Sequence, residues 1–170
     1  MLLFALAASA QSWLPPHPAA DPDQALLGRY LFYDQRMSVN HTQSCATCHR
    51  QELAFTDGRA VSIGATGESH TRSAMSLVNV AFSSLLTWSD PAMRSLEKQA
   101  LLPMLGRHPV ELGLSGHEVD FLRELRLDPV YCELFPKAFG DAHDSFTMEN
   151  VARAVAAFER TIVSARSPYD

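Results

Sequence analysis

One pentapeptide constrains this chain more than any other feature: Cys45-Ala46-Thr47-Cys48-His49. C-x-x-C-H is the attachment pattern of c-type haem. Two thiols one helical turn apart can each add to a vinyl group of the same porphyrin. The adjacent imidazole then falls beneath the iron as its proximal ligand. Cys45 and Cys48 are therefore the candidate covalent anchors, and His49 is the candidate haem-iron ligand. Two other uses of this spacing lack their context. A thioredoxin-like redox pair opens a helix after a strand in a βαβ unit, and no strand-like alternation of four or more residues is visible. A zinc site needs two further ligands, usually a second C-x-x-C or H-x-x-x-H, and the sequence has neither. The third cysteine, Cys132, stands alone and reads as a buried structural thiol.

The 170 residues, 46% of them hydrophobic, suffice for one domain with a core, plus tails. A formal charge of −5 argues against nucleic acid as a partner, since that needs a basic face to displace counterions. No apolar run approaches the roughly 18–20 residues that span a bilayer, so no integral membrane segment is expected. Met1 to Ala10 is apolar and ends in Ala8-Ser9-Ala10, a small-x-small cleavage pattern, and reads as part of an export signal. Gln11 to Ala20 is Pro-rich and aperiodic, which predicts an extended surface segment. Residues 21–170 form the expected haem domain. Covalent haem is attached outside the cytoplasm, so a periplasmic location follows from the motif and the signal-like start together.

From Asp21 onward the period is helical. Asp21-Pro22 supplies an N-cap followed by proline at the first helical position, with Leu27, Tyr30 and Leu31 on one face. A second helix is predicted from Asp90-Pro91, with Met93, Leu96 and Ala100 aligned and a break near Pro103. Ser115-Gly116-His117-Glu118 fits a capping box, opening a helix with Val119, Leu122 and Leu125 inward. Asp128-Pro129 starts another, with Val130, Leu134 and Phe135 inward. The last begins at Thr147, with Val151, Val155, Phe158 and Ile162 as its stripe. Residues 58–67 are rich in Gly, Ser and Thr and read as loop. The predicted fold class is all-α.

The haem motif alone leaves two function classes open. An electron carrier fills the sixth coordination position with Met or His, and Met75, Met93, Met104 and His70 are available. An enzyme leaves that position open and places acid–base groups above the iron. Other chemistries find little support. Gly113 to His117 misses the G-x-S-x-G elbow by its last residue, and Gly64 to Gly67 lacks a nucleotide-binding pattern. His17, His41, His108, His117 and His143 read as surface residues.

A run of further segments adds to this. Leu27 to Asp34 (LGRYLFYD), the haem motif, Phe55-Thr56-Asp57-Gly58, Leu77 to Phe82, Trp88, Leu96 to Ala100, Pro103, Val110 to Gly113, Phe158 to Ile162 and Ser167 to Asp170 stand in order. Together they resemble the N-terminal half of bacterial di-haem cytochrome c peroxidases and MauG-type enzymes. Thr87 to Pro91 and His108 to Leu114 are most similar to the methanobactin-associated branch, in which a di-haem enzyme oxidises tryptophan on a partner copper protein. The resemblance implies a cytochrome c-like helical domain that reacts with hydrogen peroxide. It implies one haem c on this chain and two in a complete enzyme. It also implies a redox partner or substrate protein: a small cytochrome, a cupredoxin or a copper-binding protein.

Carried over residue by residue, Cys45, Cys48 and His49 match the holders of the peroxide-reactive haem. Glu111 matches a distal-pocket glutamate that moves protons, and Gln99 and Pro103 match neighbouring pocket positions. Trp88 matches an aromatic relay between the two haems, and Asn79 matches a ligand of an inter-domain calcium ion. Two departures stand out. Counted back from Arg72, the histidine that caps this haem in many resting peroxidases falls on Ala65, which cannot ligate; His70, five residues on, is the alternative. The family's second C-x-x-C-H is absent from these 170 residues.

Overall fold

The Asp21 carboxylate accepts hydrogen bonds from the backbone N–H groups of Asp23 and Gln24, and Pro22 occupies the first helical position, where no N–H is needed. Helix α1 (Pro22–Tyr33) starts there. The computed structural model describes residues 19–165, so the signal-like start, most of the Pro-rich segment and Ser167 to Asp170 lie outside the described residues. Five more α-helices follow: α2 (Cys45–Cys48), α3 (Leu96–Leu105), α4 (Glu118–Arg126), α5 (Pro129–Phe139) and α6 (Met148–Arg160). Short 3₁₀ turns lie at Gln35–Met37, Gln51–Leu53 and Val80–Phe82. Among the described residues there is no strand, only isolated bridges at Arg50–Thr56 and Ile63–Ser69. The all-α expectation holds.

The centre of the core is the crossing of α1 and α6. Leu27, Leu31 and Phe32 from α1 meet Val151, Ala154, Val155 and Ala156 from α6, all buried. The helices touch backbone to backbone at Gly28, where a Cβ atom would stand 1.8 Å from the Ala154 carbonyl oxygen. Helix α3 packs on α6 and is tied to it by the Arg160–Glu97 ion pair at 2.6 Å. Helix α5 closes the far side through Tyr131, whose hydroxyl donates to Asp34 Oδ2 at 2.7 Å. Arg36 bridges Asp34 and Asp128.

Several sequence expectations shift here. Asp90-Pro91 does not open a helix; Asp90 Oδ1 accepts from Ala92 N–H in a local turn. Helix α3 begins later, capped by the Ser95 hydroxyl, and runs through Pro103 rather than breaking. Near a helix end the proline forfeits one backbone bond, and its own carbonyl accepts from Leu112 N–H. In α4 the cap is His117, because Ser115 is taken by Arg107. Val119 is 70% exposed, and Phe121 with Leu125 forms the buried stripe instead. Tyr30 and Val130 likewise face outward, with Phe32 and Tyr131 in the core. Cys132 is exposed rather than buried, its thiol donating to the Arg126 carbonyl. For Tyr30, Val119 and Val130 the choice lay between apolar residues one or two positions apart, and tertiary packing decided it.

Candidate haem site

Helix α2 is a single turn, so Cys45 and Cys48 fall on one side of it and His49 follows at its end. The turn is set by a reciprocal cap: Ser44 N–H donates to Thr47 Oγ1, and the Ser44 side chain caps the Thr47 end. After His49 the chain folds back through Ala54 and Phe55, both in the left-handed region (φ 55° and 57°). Non-glycine residues there carry strain of about 1–3 kcal/mol each, which persists only where the surroundings enforce it. The result is that the Phe55 carbonyl meets His49 Nδ1 at 2.9 Å. The Nδ1–H donates to it, and this fixes the tautomer in which Nε2 keeps its lone pair. Metal-ligating histidines are oriented in this way. Burial holds the His49 pKa below its ordinary value, against the opposing pull of the Phe55 and Met75 carbonyls.

Both thiols are free, and burial pushes them up, Cys48 to about 11. They are thus neutral thiols, the form in which S–H can add across a vinyl group. In front of them lies a cleft of about 630 Å³ of empty space, walled by Cys45, Cys48, His49, Gln99, Pro103, Met104, Val110, Glu111 and Glu159. It opens into a second of about 1220 Å³ that shares Cys48, His49, His70, Gln99, Pro103 and Glu111 and extends to Trp88. The first cleft is mostly apolar with a few convergent polar groups, the make-up of cofactor sites. Glu159, only 5% exposed, leaves Oε2 without a hydrogen-bond partner, the mark of a wall that a bound group completes. The residues fit haem.

The sequence-assigned residues divide into three groups. Cys45, Cys48, His49, Gln99, Pro103 and Glu111 meet around one cleft. Glu111 is carried on a loop that Gly64 approaches so closely that a Cβ there would stand 1.9 Å from the Val110 carbonyl oxygen. Ala65 N–H donates to the Glu111 carbonyl at 2.7 Å, so Ala65 supports this loop through its backbone. His70 does line the cleft, with Nε2 3.5 Å from Glu111 Oε1. Burial raises the Glu111 pKa, partly countered by His70.

Trp88 sits at the outer cleft, half-exposed, with its indole N–H on the Ser73 carbonyl at 2.8 Å. Asn79 stands apart. Its side-chain amide is used at both ends on the Ser164 backbone, donating at 2.9 Å and accepting at 2.8 Å. The described residues hold no cluster of three or more His, Cys, Asp or Glu able to take a metal ion.

Sequence reasoning missed Glu159. Its signal was available: it continues the Val151–Val155 spacing, so a carboxylate falls on the apolar stripe of α6. Burial raises its pKa to about 8.

A helical fold whose central crossing backs a C-x-x-C-H turn and an acid-bearing cleft defines a c-type haem domain. More narrowly, residues 22–170 match the sequence model of the di-haem cytochrome c peroxidases, and the chain belongs to that family. Family membership sets aside the mono-haem carrier reading. MauG of Methylophilus methylotrophus is 35% identical over 158 residues, covering 91% of this chain and 45% of that protein. Cytochrome c551 peroxidase of Pseudomonas aeruginosa is 32% identical over 149 residues, covering 86% and 41%. The crystal structure of a MauG-like protein associated with microbial copper homeostasis superposes with a TM-score of 0.89 at 37% identity. That match covers 97% of this chain and 49% of the other. The chain thus spans about half the length of these relatives.

Proposed function

We propose that this chain is the peroxide-reactive haem domain of an exported, periplasmic di-haem oxidoreductase. The observation that carries the reading is Glu111: a half-buried carboxyl on the wall that also presents Cys48 and His49, with His70 3.5 Å away. Haem held by Cys45, Cys48 and His49 would supply the iron at which hydrogen peroxide is reduced. Heterolysis of peroxide requires a proton to leave one oxygen and arrive on the other. Glu111 Oε1 takes that proton from the incoming peroxide and returns it to the departing oxygen. Its raised pKa, a consequence of burial, suits it to hold the proton between the two transfers. His70 Nε2 faces the same carboxylate and can replenish it. Gln99 orients peroxide by its amide. Pro103 adds a wall without a competing N–H. Trp88, at the outer cleft, relays electrons toward a second haem.

The substrate we infer is tryptophan on a copper-binding partner protein. Support comes from the Thr87–Pro91 and His108–Leu114 wording and from the likeness to a structure named for copper homeostasis. The test is Glu111→Gln in the haem-loaded full-length enzyme, followed by rapid mixing with peroxide. The variant keeps its haem spectrum and slows the peroxide step by about 10²–10⁴-fold, while simple reduction of the iron is unchanged. A wild-type peroxide rate would return Glu111 to an ordinary loop carboxylate.

A further inference from the structure

A packed series of rings leads away from His49. Phe32, fully buried, lies 6.4 Å from the His49 ring and 5.3 Å from Tyr33, edge-on. Phe158 touches both, at 5.1 Å from Phe32 and 6.3 Å from Tyr33, and Phe55 closes the cluster at 6.2 Å from Phe32. Tyr33 ends the series at the surface: it is 44% exposed, and its hydroxyl donates to Gln51 Oε1 at 3.5 Å. Rings in van der Waals contact couple electronically far better than rings across a void. Of the residues in this cluster, only Tyr33 is a phenol, the type of side chain that gives up an electron and a proton together.

We propose that Tyr33 is a surface outlet for oxidising equivalents, reached from the haem-bearing cleft through His49 and Phe32. The electron leaves the Tyr33 ring and passes inward to the oxidised haem group, which is reduced by one equivalent. The phenolic proton leaves to water at the exposed edge, where Gln51 holds the hydroxyl. What remains is a neutral tyrosyl radical. It is repaired by a one-electron reductant of the phenol class, or it couples with a second copy: one carbon–carbon bond forms between the rings, and the displaced ring hydrogens return to the oxygens. Hydrogen peroxide is the oxidant, so the natural role rests on the proposed function. The electronic path does not. Trp88, hydrogen-bonded to Ser73 at the outer cleft, is not among these rings. Tyr30 is as exposed as Tyr33, yet no described ring contact joins it to Phe32 or His49, which makes it the control.

The test uses the haem-loaded chain in two arms. In the first, peroxide is added without a protein substrate. Peroxide loss, the tyrosyl signal in electron paramagnetic resonance and dityrosine fluorescence are followed together. Tyr33→Phe removes most of both tyrosine signals, and Tyr30→Phe keeps them. In the second, zinc replaces iron in the attached porphyrin, and a light flash with an external electron acceptor creates the oxidising equivalent without peroxide. The radical again forms in the wild type and is lost in Tyr33→Phe. Peroxide consumption with equal tyrosyl signals in wild type and Tyr33→Phe overturns the outlet. Absence of peroxide consumption overturns the proposed function instead, and the flash arm then decides Tyr33 by itself.

Discussion

Gly28→Ala is the sharpest test of how the haem turn is supported. Alanine is ordinarily better than glycine inside a helix by up to ~1 kcal/mol, so local propensity alone predicts a more stable protein. The tertiary structure predicts the reverse. The new Cβ would lie 1.8 Å from the Ala154 carbonyl oxygen, 2.4 Å from its carbon and 3.0 Å from Phe158 Cβ. Relief requires α1 and α6 to part by more than about 1 Å, against a core packed without slack. The obstacle is backbone, so no side-chain change at Ala154 can make room. Overpacking of this kind costs typically 1–3 kcal/mol and occasionally more. Separation also loosens Leu27, Leu31, Val151 and Val155, which places the net effect at the upper end, about 3 kcal/mol. For a chain of this size that lowers Tm by roughly 6–12 °C. Thermal unfolding of the haem-loaded chain, followed by circular dichroism, reads it directly. Because Phe32 rides on α1 beside His49, the haem band should also weaken or shift before global unfolding. An unchanged or raised Tm would refute the close crossing and the reasoning built on it.

Two further outcomes follow from the site. Cys45→Ser with Cys48→Ser should abolish covalent haem: extraction with acidified acetone strips the pigment from the double variant and leaves it on the wild type. Glu159 should make stability fall with rising pH. Its carboxyl is protonated in the folded state up to about pH 8 but ionises near 4.5 once unfolded, so the folded state binds the extra proton between those values. Stability is therefore full below pH 4.5 and declines toward pH 8, by on the order of 4–5 kcal/mol in all. The lowered acids Asp34, Asp57, Glu97 and Asp128 act in the opposite sense and at lower pH. The difference between wild type and Glu159→Gln in denaturant unfolding at pH 5, 7 and 9 isolates the effect; a difference that does not change with pH would refute it.

The candidate haem-attachment turn and much of the helical plan could be read along the chain. Cys45, Cys48 and His49 are adjacent in the chain, so their relation survives any packing. Asp21-Pro22, Asp128-Pro129 and Thr147 mark helix starts by local hydrogen bonding, which needs no distant partner. What lay beyond the sequence was every choice settled between elements. Tyr30 against Phe32, Val119 against Phe121 and Val130 against Tyr131 differ by one or two positions, and periodicity cannot resolve them when both are apolar. The start of α3 turned on whether Ser95 or Asp90 made the capping bond, a matter of where the preceding loop is held.

The site shows the same division. Motif resemblance assigned Glu111, but its setting depends on the Gly64 loop, the Pro103 carbonyl and His70 meeting from three separate stretches of chain. Glu159 was legible only as an anomaly on an apolar stripe, and its burial required α3, α6 and the haem turn to close around it. Chemistry carried by neighbours in sequence can be read from the chain. Chemistry that depends on removal from water, such as a raised carboxyl pKa or a ring series leading to the surface, exists only once the helices have packed.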